Sequence, residues 1–225
     1  GGFADGATGA ILTVNPGGAV PSNDNYAAAW TLPGSAGIAR GTNAGATGET
    51  GEPTHLFGSE GENTSVWYRW TPLDSGTAQI DTIGSNFDSV LAVYSGGSLT
   101  GLTKLAQDDD SGGGLGSSSK LTLPVTAGVT YSIAVGSYDS GDRGSITLNY
   151  VAFTAPVIAT QPQPQTVTLG AGAVFTIAAT GSPAPVLQWQ RQPAGTTGFV
   201  ALANTGAYRG ATTAALTVSP TTGAM

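Results

Sequence analysis

Apolar side chains along this chain recur mainly at every second position, the period of a strand with one buried face. Leu121, Leu123 and Val125 share a face; so do Tyr131, Ile133 and Val135, and again Ile146, Leu148 and Tyr150. Between Thr77 and Thr82, Ala78 and Ile80 alternate with Gln79 and Asp81, which predicts a half-exposed strand. Two runs are denser. Ser89-Val-Leu-Ala-Val-Tyr94 is apolar nearly throughout and suits burial between two layers. Ser65-Val-Trp-Tyr-Arg-Trp70 carries bulky residues on both faces and reads as a central strand. With the run from Ala27 to Leu32, these segments are enough for a two-sheet sandwich. No stretch holds a helical period, and Gly, Asn, Asp and Ser clusters separate the runs, so the expected class is all-β.

Two segments near opposite ends read almost alike. Gly6-Ala-Thr-Gly-Ala-Ile-Leu-Thr-Val-Asn-Pro16 matches Gly210-Ala-Thr-Thr-Ala-Ala-Leu-Thr-Val-Ser-Pro220 at eight of eleven positions. Each is a short strand pattern closed by a proline. The reading of the chain is therefore an extra N-terminal strand and linker over 1–20, a first domain over 22–153, and a second over 156–225. Thr154-Ala-Pro-Val marks the junction, and Pro162 and Pro164 hold the following segment extended.

Composition narrows the partners. The chain has 35 glycines and 13 prolines, with 9% charged residues, which fits a loop-rich sandwich. The absence of cysteine excludes disulfides and thiolate metal sites without excluding secretion. No apolar run is long enough to span a bilayer as a helix, and no signal peptide is present, as expected of a mature or excised segment. A net charge of −7 argues against nucleic acid. All acidic residues lie at or before Asp142, whereas Arg191 and Arg209 are the only charges beyond Tyr150. An acidic first domain thus precedes a weakly basic second one. That polarity reads either as ordinary solvated surface or as head-to-tail complementarity between subunits.

The first domain resembles the bacterial pre-peptidase C-terminal domain. The resemblance is carried, in order, by Asn23-Asp-Asn-Tyr-Ala-Ala-Ala29, Gly51-Glu-Pro-Thr-His55, Ser65-Val-Trp-Tyr-Arg-Trp70, the run from Asp81 to Tyr94, Asp108-Asp-Asp110, and Ala127-Gly-Val-Thr-Tyr-Ser-Ile-Ala-Val135. It implies a secreted, non-catalytic, jelly-roll-like β-sandwich, some members of which bind calcium or extracellular polymers. The second domain resembles a bacterial immunoglobulin-like repeat, through Gln161-Pro-Gln-Pro-Gln-Thr-Val-Thr-Leu-Gly170, Val174-Phe-Thr-Ile-Ala-Ala-Thr-Gly-Ser-Pro183 and Leu187-Gln-Trp-Gln-Arg191. Trp189 then matches the core tryptophan of strand C, and Tyr208–Val218 the strand E region. Strands F and G of that pattern have no counterpart before Met225, so the expectation is an incomplete immunoglobulin-like β-sandwich.

A sandwich lacking those strands leaves apolar surface bare. Trp189 alone would offer on the order of 200 Å² to water, costing several kcal/mol. Phe175, Ile177 and Trp189 are the expected acceptor surface. Ile11, Leu12 and Val14, with Leu216 and Val218 of the matching segment, are the expected assembly strands. Three sources of cover stay open: strands of a longer chain, a strand from another chain, or unusual packing within this one.

Candidate chemistry is sparse. Asp108, Asp109 and Asp110 on a glycine-rich loop, with Asn23 and Asp24, form a candidate Ca²⁺ site, because hard oxygen ligands favour that ion; a solvated acidic loop is the alternative. Asp139 and Asp142 are weaker candidates. His55, the only histidine, has no metal-spaced partner and no Gly-x-Ser-x-Gly elbow, so a structural hydrogen bond is expected. Glu60 and Glu62 lack a supporting cleft for glycoside hydrolysis. Trp30, Trp67, Trp70, Tyr94 and Tyr138 could stack on sugars where exposed, and Trp67 and Trp70 must face opposite sides of their strand. The reading is a non-catalytic extracellular or cell-surface structural or adhesive protein, a subunit or repeat of a filament joined by β-strand complementation. Its partners would be copies of itself or flanking domains of the same chain. The alternative is a calcium-dependent carbohydrate- or protein-binding module of a secreted hydrolase.

Overall fold

The computed structural model describes residues 10–12 (backbone only), 19–55, 64–113, 117–139 and 141–220. The chain divides into two units, Gly1–Phe153 and Thr154–Met225. Both are β-structure; among the described residues the only helical turns are two 3-10 turns, Tyr26–Ala28 and Leu99–Gly101. Among the described residues no helix is long and apolar enough to cross a membrane.

The first unit holds β1 (Ala10–Leu12), β2 (Trp30–Leu32), β3 (Ala36–Thr42), β4 (Val66–Trp70), β5 (Gly76–Asp81), β6 (Ser89–Ser95), β7 (Thr103–Asp108), β8 (Lys120–Val125), β9 (Tyr131–Ser137) and β10 (Ser145–Thr160), whose residues to Phe153 belong here. One sheet runs β1–β3–β10–β5–β8, the other β2–β4–β9–β6–β7. Pairing is antiparallel except for β1 with β3 and β2 with β4. The inward residues of both sheets make one core, in which Ile80, Leu123, Ile146 and Leu148 of the first sheet meet Val66, Tyr68, Trp70, Leu91 and Ile133 of the second.

The second sheet is buried on its outer face as well. Trp67, Ala92, Tyr94 and Ala134 point away from the main core and form a separate cluster under Tyr26. The strand alternation of β4 therefore sends Trp67 and Trp70 to opposite sides, and both are fully buried.

Two strands lie beyond the pattern read from the sequence. Strand β3 is Ala-Gly-Ile-Ala-Arg-Gly-Thr, too small and too rich in glycine to announce itself. Its glycines are required by packing: a Cβ at Gly37 would run into the Tyr150 ring, and one at Gly41 would press on the Tyr68 hydroxyl at 3.3 Å. Strand β7 is an edge strand paired only with β6, so its side chains need no strict alternation.

The second unit contains the end of β10, then β11 (Ala173–Thr176), β12 (Ala178–Ser182), β13 (Gln190–Arg191), β14 (Val200–Ala201), β15 (Tyr208–Arg209) and β16 (Ala215–Val218). Thr154–Thr160 of β10 pairs with β12. Strand β11 pairs with β16, and β16 with β15. Strands β13 and β14 form a two-stranded remainder. The core here is small: Leu202, Ala211, Leu216 and Val218 are buried, with Phe175, Trp189 and Tyr208 packed against them.

Candidate functional site

A groove of about 690 Å³ lies in the second unit. Its walls are mainly apolar, with Gln161, Gln188 and Gln190 among them. Val157 and Ile158 come from the end of β10, Ile177 and Ala179 from around β12, Leu187 and Trp189 from the approach to β13, and Phe199 from beside β14. The irregular segment Pro185–Trp189 before β13 contributes every one of its residues, so this wall is made by a loop and not by one face of a strand. Several of these side chains face solvent: Val186 is 97% exposed, Phe199 67%, Val157 57% and Ile158 51%. Contiguous apolar surface of this kind marks an interaction site more often than ordinary surface.

Backbone pairing stops at the same place. Thr154–Thr160 pairs with β12 along one edge, and no other described strand lies along those residues. Strand β13 pairs with β14, and on its other side the adjoining Trp189 N–H makes a single bond to the Ala211 carbonyl, 2.8 Å. The groove thus combines apolar walls with strands paired on one side only.

Trp189 is less bare than its position in an open sandwich implied. Its indole Nε1 donates to the Thr213 carbonyl at 2.8 Å, its carbonyl accepts from Leu202 N at 2.9 Å, and one face packs on the small core. The ring is half-buried and forms the floor between core and groove. The Gln188 side-chain amide donates to the carbonyls of Trp189 and Leu202, at 2.8 and 2.9 Å, which fixes the strand that carries the tryptophan.

The other expected acceptor and assembly residues divide between core and groove. Phe175 packs on the core, and Ile177 lines the groove. Leu216 and Val218 are both buried, on the inward face of β16. The backbone of Ile11 and Leu12 lies in β1, in register with Ala39 and Arg40 of β3. Val14 falls outside the described residues, as do Glu60 and Glu62.

The candidate calcium ligands are not gathered into one site. The Asn23 amide donates to the Trp67 carbonyl, and the Asp24 carboxylate accepts from the backbone N–H and hydroxyl of Thr47. Asp108 accepts from Ser111 N and Lys120 N, closing the loop that follows β7. Among the described residues no three acidic or histidine side chains converge as metal ligands. The structure groups the acids differently. Burial, followed by the charges of Asp110, Asp109, Asp142 and Asp139, raises the Asp88 carboxyl above its usual range. Burial with Asp110 and Asp108 does the same to Asp109. Asp88 was not a candidate because it sits in a strand-flanking turn, far in sequence from the others.

His55 occupies a buried polar cluster over Trp67. Its Nε2 lies 3.0 Å from Glu52 Oε1 and its Nδ1 2.8 Å from the Tyr94 hydroxyl. Ser65 donates to the same Glu52 oxygen. The hydroxyl is on the carboxylate rather than the imidazole, so the three groups do not form a nucleophile–base relay. Lys104 Nζ donates to the carbonyls of Thr54 and His55, tying this segment down. Trp67, Trp70 and Tyr94 are fully buried and offer no ring face to a sugar; Tyr138 is exposed and Trp30 half-buried.

No protein-family model matches the chain, and no curated protein matches it. Among solved structures the chain is similar to the pre-peptidase C-terminal domain of a collagenase from Bacillus anthracis, determined at 1.0 Å. The identity is 14% and the TM-score 0.35; the match covers 61% of this chain and 99% of that domain.

Proposed function

We propose that this chain is a non-catalytic extracellular structural module whose second unit accepts an extended apolar β-strand, as a subunit or repeat of a surface filament. The open groove carries the reading: apolar side chains and one-sided strands occur together there. An inserted strand gains backbone hydrogen bonds from the edge it joins and burial from the side chains it points inward, the mode of β-augmentation. Covering one exposed aliphatic or aromatic side chain of this kind is worth about 1.5–3 kcal/mol. Thr154–Thr160 pairs with β12, β11–β16–β15 form a separate three-stranded sheet, and β13 and β14 pair only with each other. That order supports an immunoglobulin-type sandwich whose second layer is completed by the strand it receives.

The test uses the intact chain and 8-anilinonaphthalene-1-sulfonate, a dye that brightens on open apolar surface. Dilute protein is expected to bind the dye, to release it on association at higher concentration, and to lose it in Phe199→Asp. A chain that stays monomeric to millimolar concentration and leaves the dye dark overturns the reading.

A further inference from the structure

We infer that the strand entering the groove is residues 6–16 of a second copy of this chain, so that the protein assembles head to tail; this rests on the strand-accepting reading above. The second unit already buries a strand of nearly this sequence. Residues 210–220 match 6–16 at eight of eleven positions. Their strand β16 turns Leu216 and Val218 into the core, 5% and 4% exposed, with Ala215 exposed and Thr217 half-buried. By that correspondence Leu12 and Val14 face inward, and Thr13 outward, in any sandwich the segment completes. Residues 6–16 carry no charge, so their burial leaves no ion without a partner.

The described part of the segment is paired within its own unit in the weaker of the two ladder types. Strand β1 pairs with β3 over three residues, in parallel, at the end of the sheet. Parallel pairing is the less stable kind per residue. Exchange replaces that parallel ladder with one along the groove. Charge favours the same direction: every acidic residue lies at or before Asp142, and the second unit carries only Arg191 and Arg209. Head-to-tail contact sets an acidic unit against a basic one and disfavours like units meeting. Donor and acceptor are different surfaces, so the contact is heterologous and continues into a fibre or closes into a ring.

Three variants of the full chain test this by sedimentation and electron microscopy. The wild type is expected to grow in mass with concentration. Leu12→Asp with Val14→Asp removes the donor, Phe199→Asp with Val157→Asp removes the acceptor, and each alone is expected to stay monomeric. Thr13→Asp, on the outward side, is expected to assemble like the wild type. Mixing the donor-dead and acceptor-dead chains is expected to give one-to-one dimers and nothing longer. Melting of the first unit serves as the control for folding. If the acceptor variant blocks assembly while the donor variant does not, another strand fills the groove: the inference falls and the strand-accepting reading stands. If a dead pair fails to form dimers, the inference falls. If the wild type is monomeric and dark to the dye, both fall.

Discussion

His55 Nδ1 lies 2.8 Å from the hydroxyl of Tyr94, and this bond closes the polar cluster that covers the outer face of the first unit's second sheet. A carboxylate can only accept, so the Nε2–H donates to Glu52, and in the neutral imidazole Nδ1 accepts from the Tyr94 hydroxyl. Burial, with the Glu52 charge, raises the Tyr94 phenol and keeps it a donor. Replacing His55 by Ala takes one donor from the fully buried Glu52 carboxylate, which keeps Ser65 and the Glu49 N–H, and leaves the Tyr94 hydroxyl without its acceptor. A buried polar group left short of a partner costs about 1–3 kcal/mol, so His55→Ala, which affects two groups, is expected to cost more than Tyr94→Phe, which leaves one neutral acceptor unpaired. Urea unfolding followed by tryptophan fluorescence reads both, because Trp67 packs 5.3 Å from the His55 ring. Equal, near-zero costs would mean the cluster does not hold the face closed.

Gly37 and Tyr150 make a second, steric pair. Tyr150 donates to the Pro33 carbonyl at 2.9 Å, and burial has pushed its phenol up to about 12. The ring crosses β3 where Gly37 has no side chain. Gly37→Ala is expected to destabilise the first unit by about 1–3 kcal/mol through overpacking. Tyr150→Leu alone also destabilises, but the double variant is expected to lose less than the sum, since the smaller side chain makes room for the new methyl. Strict additivity in a denaturant cycle would rule the contact out as the reason for glycine.

That pair also shows where the sequence is silent. Strands such as β8 and β9 were legible because one face repeats aliphatic or aromatic residues at period two. In β3 the information lies in what is missing, and only the Tyr150 ring explains it. Trp67 illustrates a second limit: alternation sends it opposite Trp70, yet nothing in the pattern tells that Tyr26 and the segment ending at His55 fold back to bury it. In the candidate site, Trp189 and Ile177 were legible as apolar positions of a sandwich. Val157, Ile158, Val186 and Phe199 were not, because a groove wall is made of residues that reach it from separate strands and loops and share no local period.

The acidic group around Asp88 predicts a pH dependence of definite sign. Burial and the neighbouring Asp110, Asp109, Asp142 and Asp139 hold the Asp88 carboxyl above the usual range. A raised carboxyl favours the folded state while protonated. Its contribution is full below the unfolded value of about 4 and is lost as pH rises through the raised value. Asp88→Asn is therefore expected to melt slightly above the wild type at neutral pH and with it at pH 3. The neighbouring carboxylates are part of the cause, so added salt should shrink the neutral-pH gap in part. Thermal melts across that range check it; a gap that widens toward low pH has the wrong sign.

Stability in the second unit should depend on how much protein is present, and stability in the first should not. Four buried residues, Leu202, Ala211, Leu216 and Val218, carry the second unit's core. Leu216→Ala, with a cost of about 2–5 kcal/mol, removes much of what a unit of this size holds in reserve. A strand bound in the groove adds RT ln(1 + [L]/Kd), where the ligand is the protein itself. Calorimetry at low and high concentration is therefore expected to move one transition upward and leave the other in place. Phe199→Asp should abolish the movement, and Leu216→Ala should leave the second unit unfolded when dilute and refolded when concentrated. Two transitions that ignore concentration, in a wild type that still forms polymers, would place the contact between copies somewhere other than the groove.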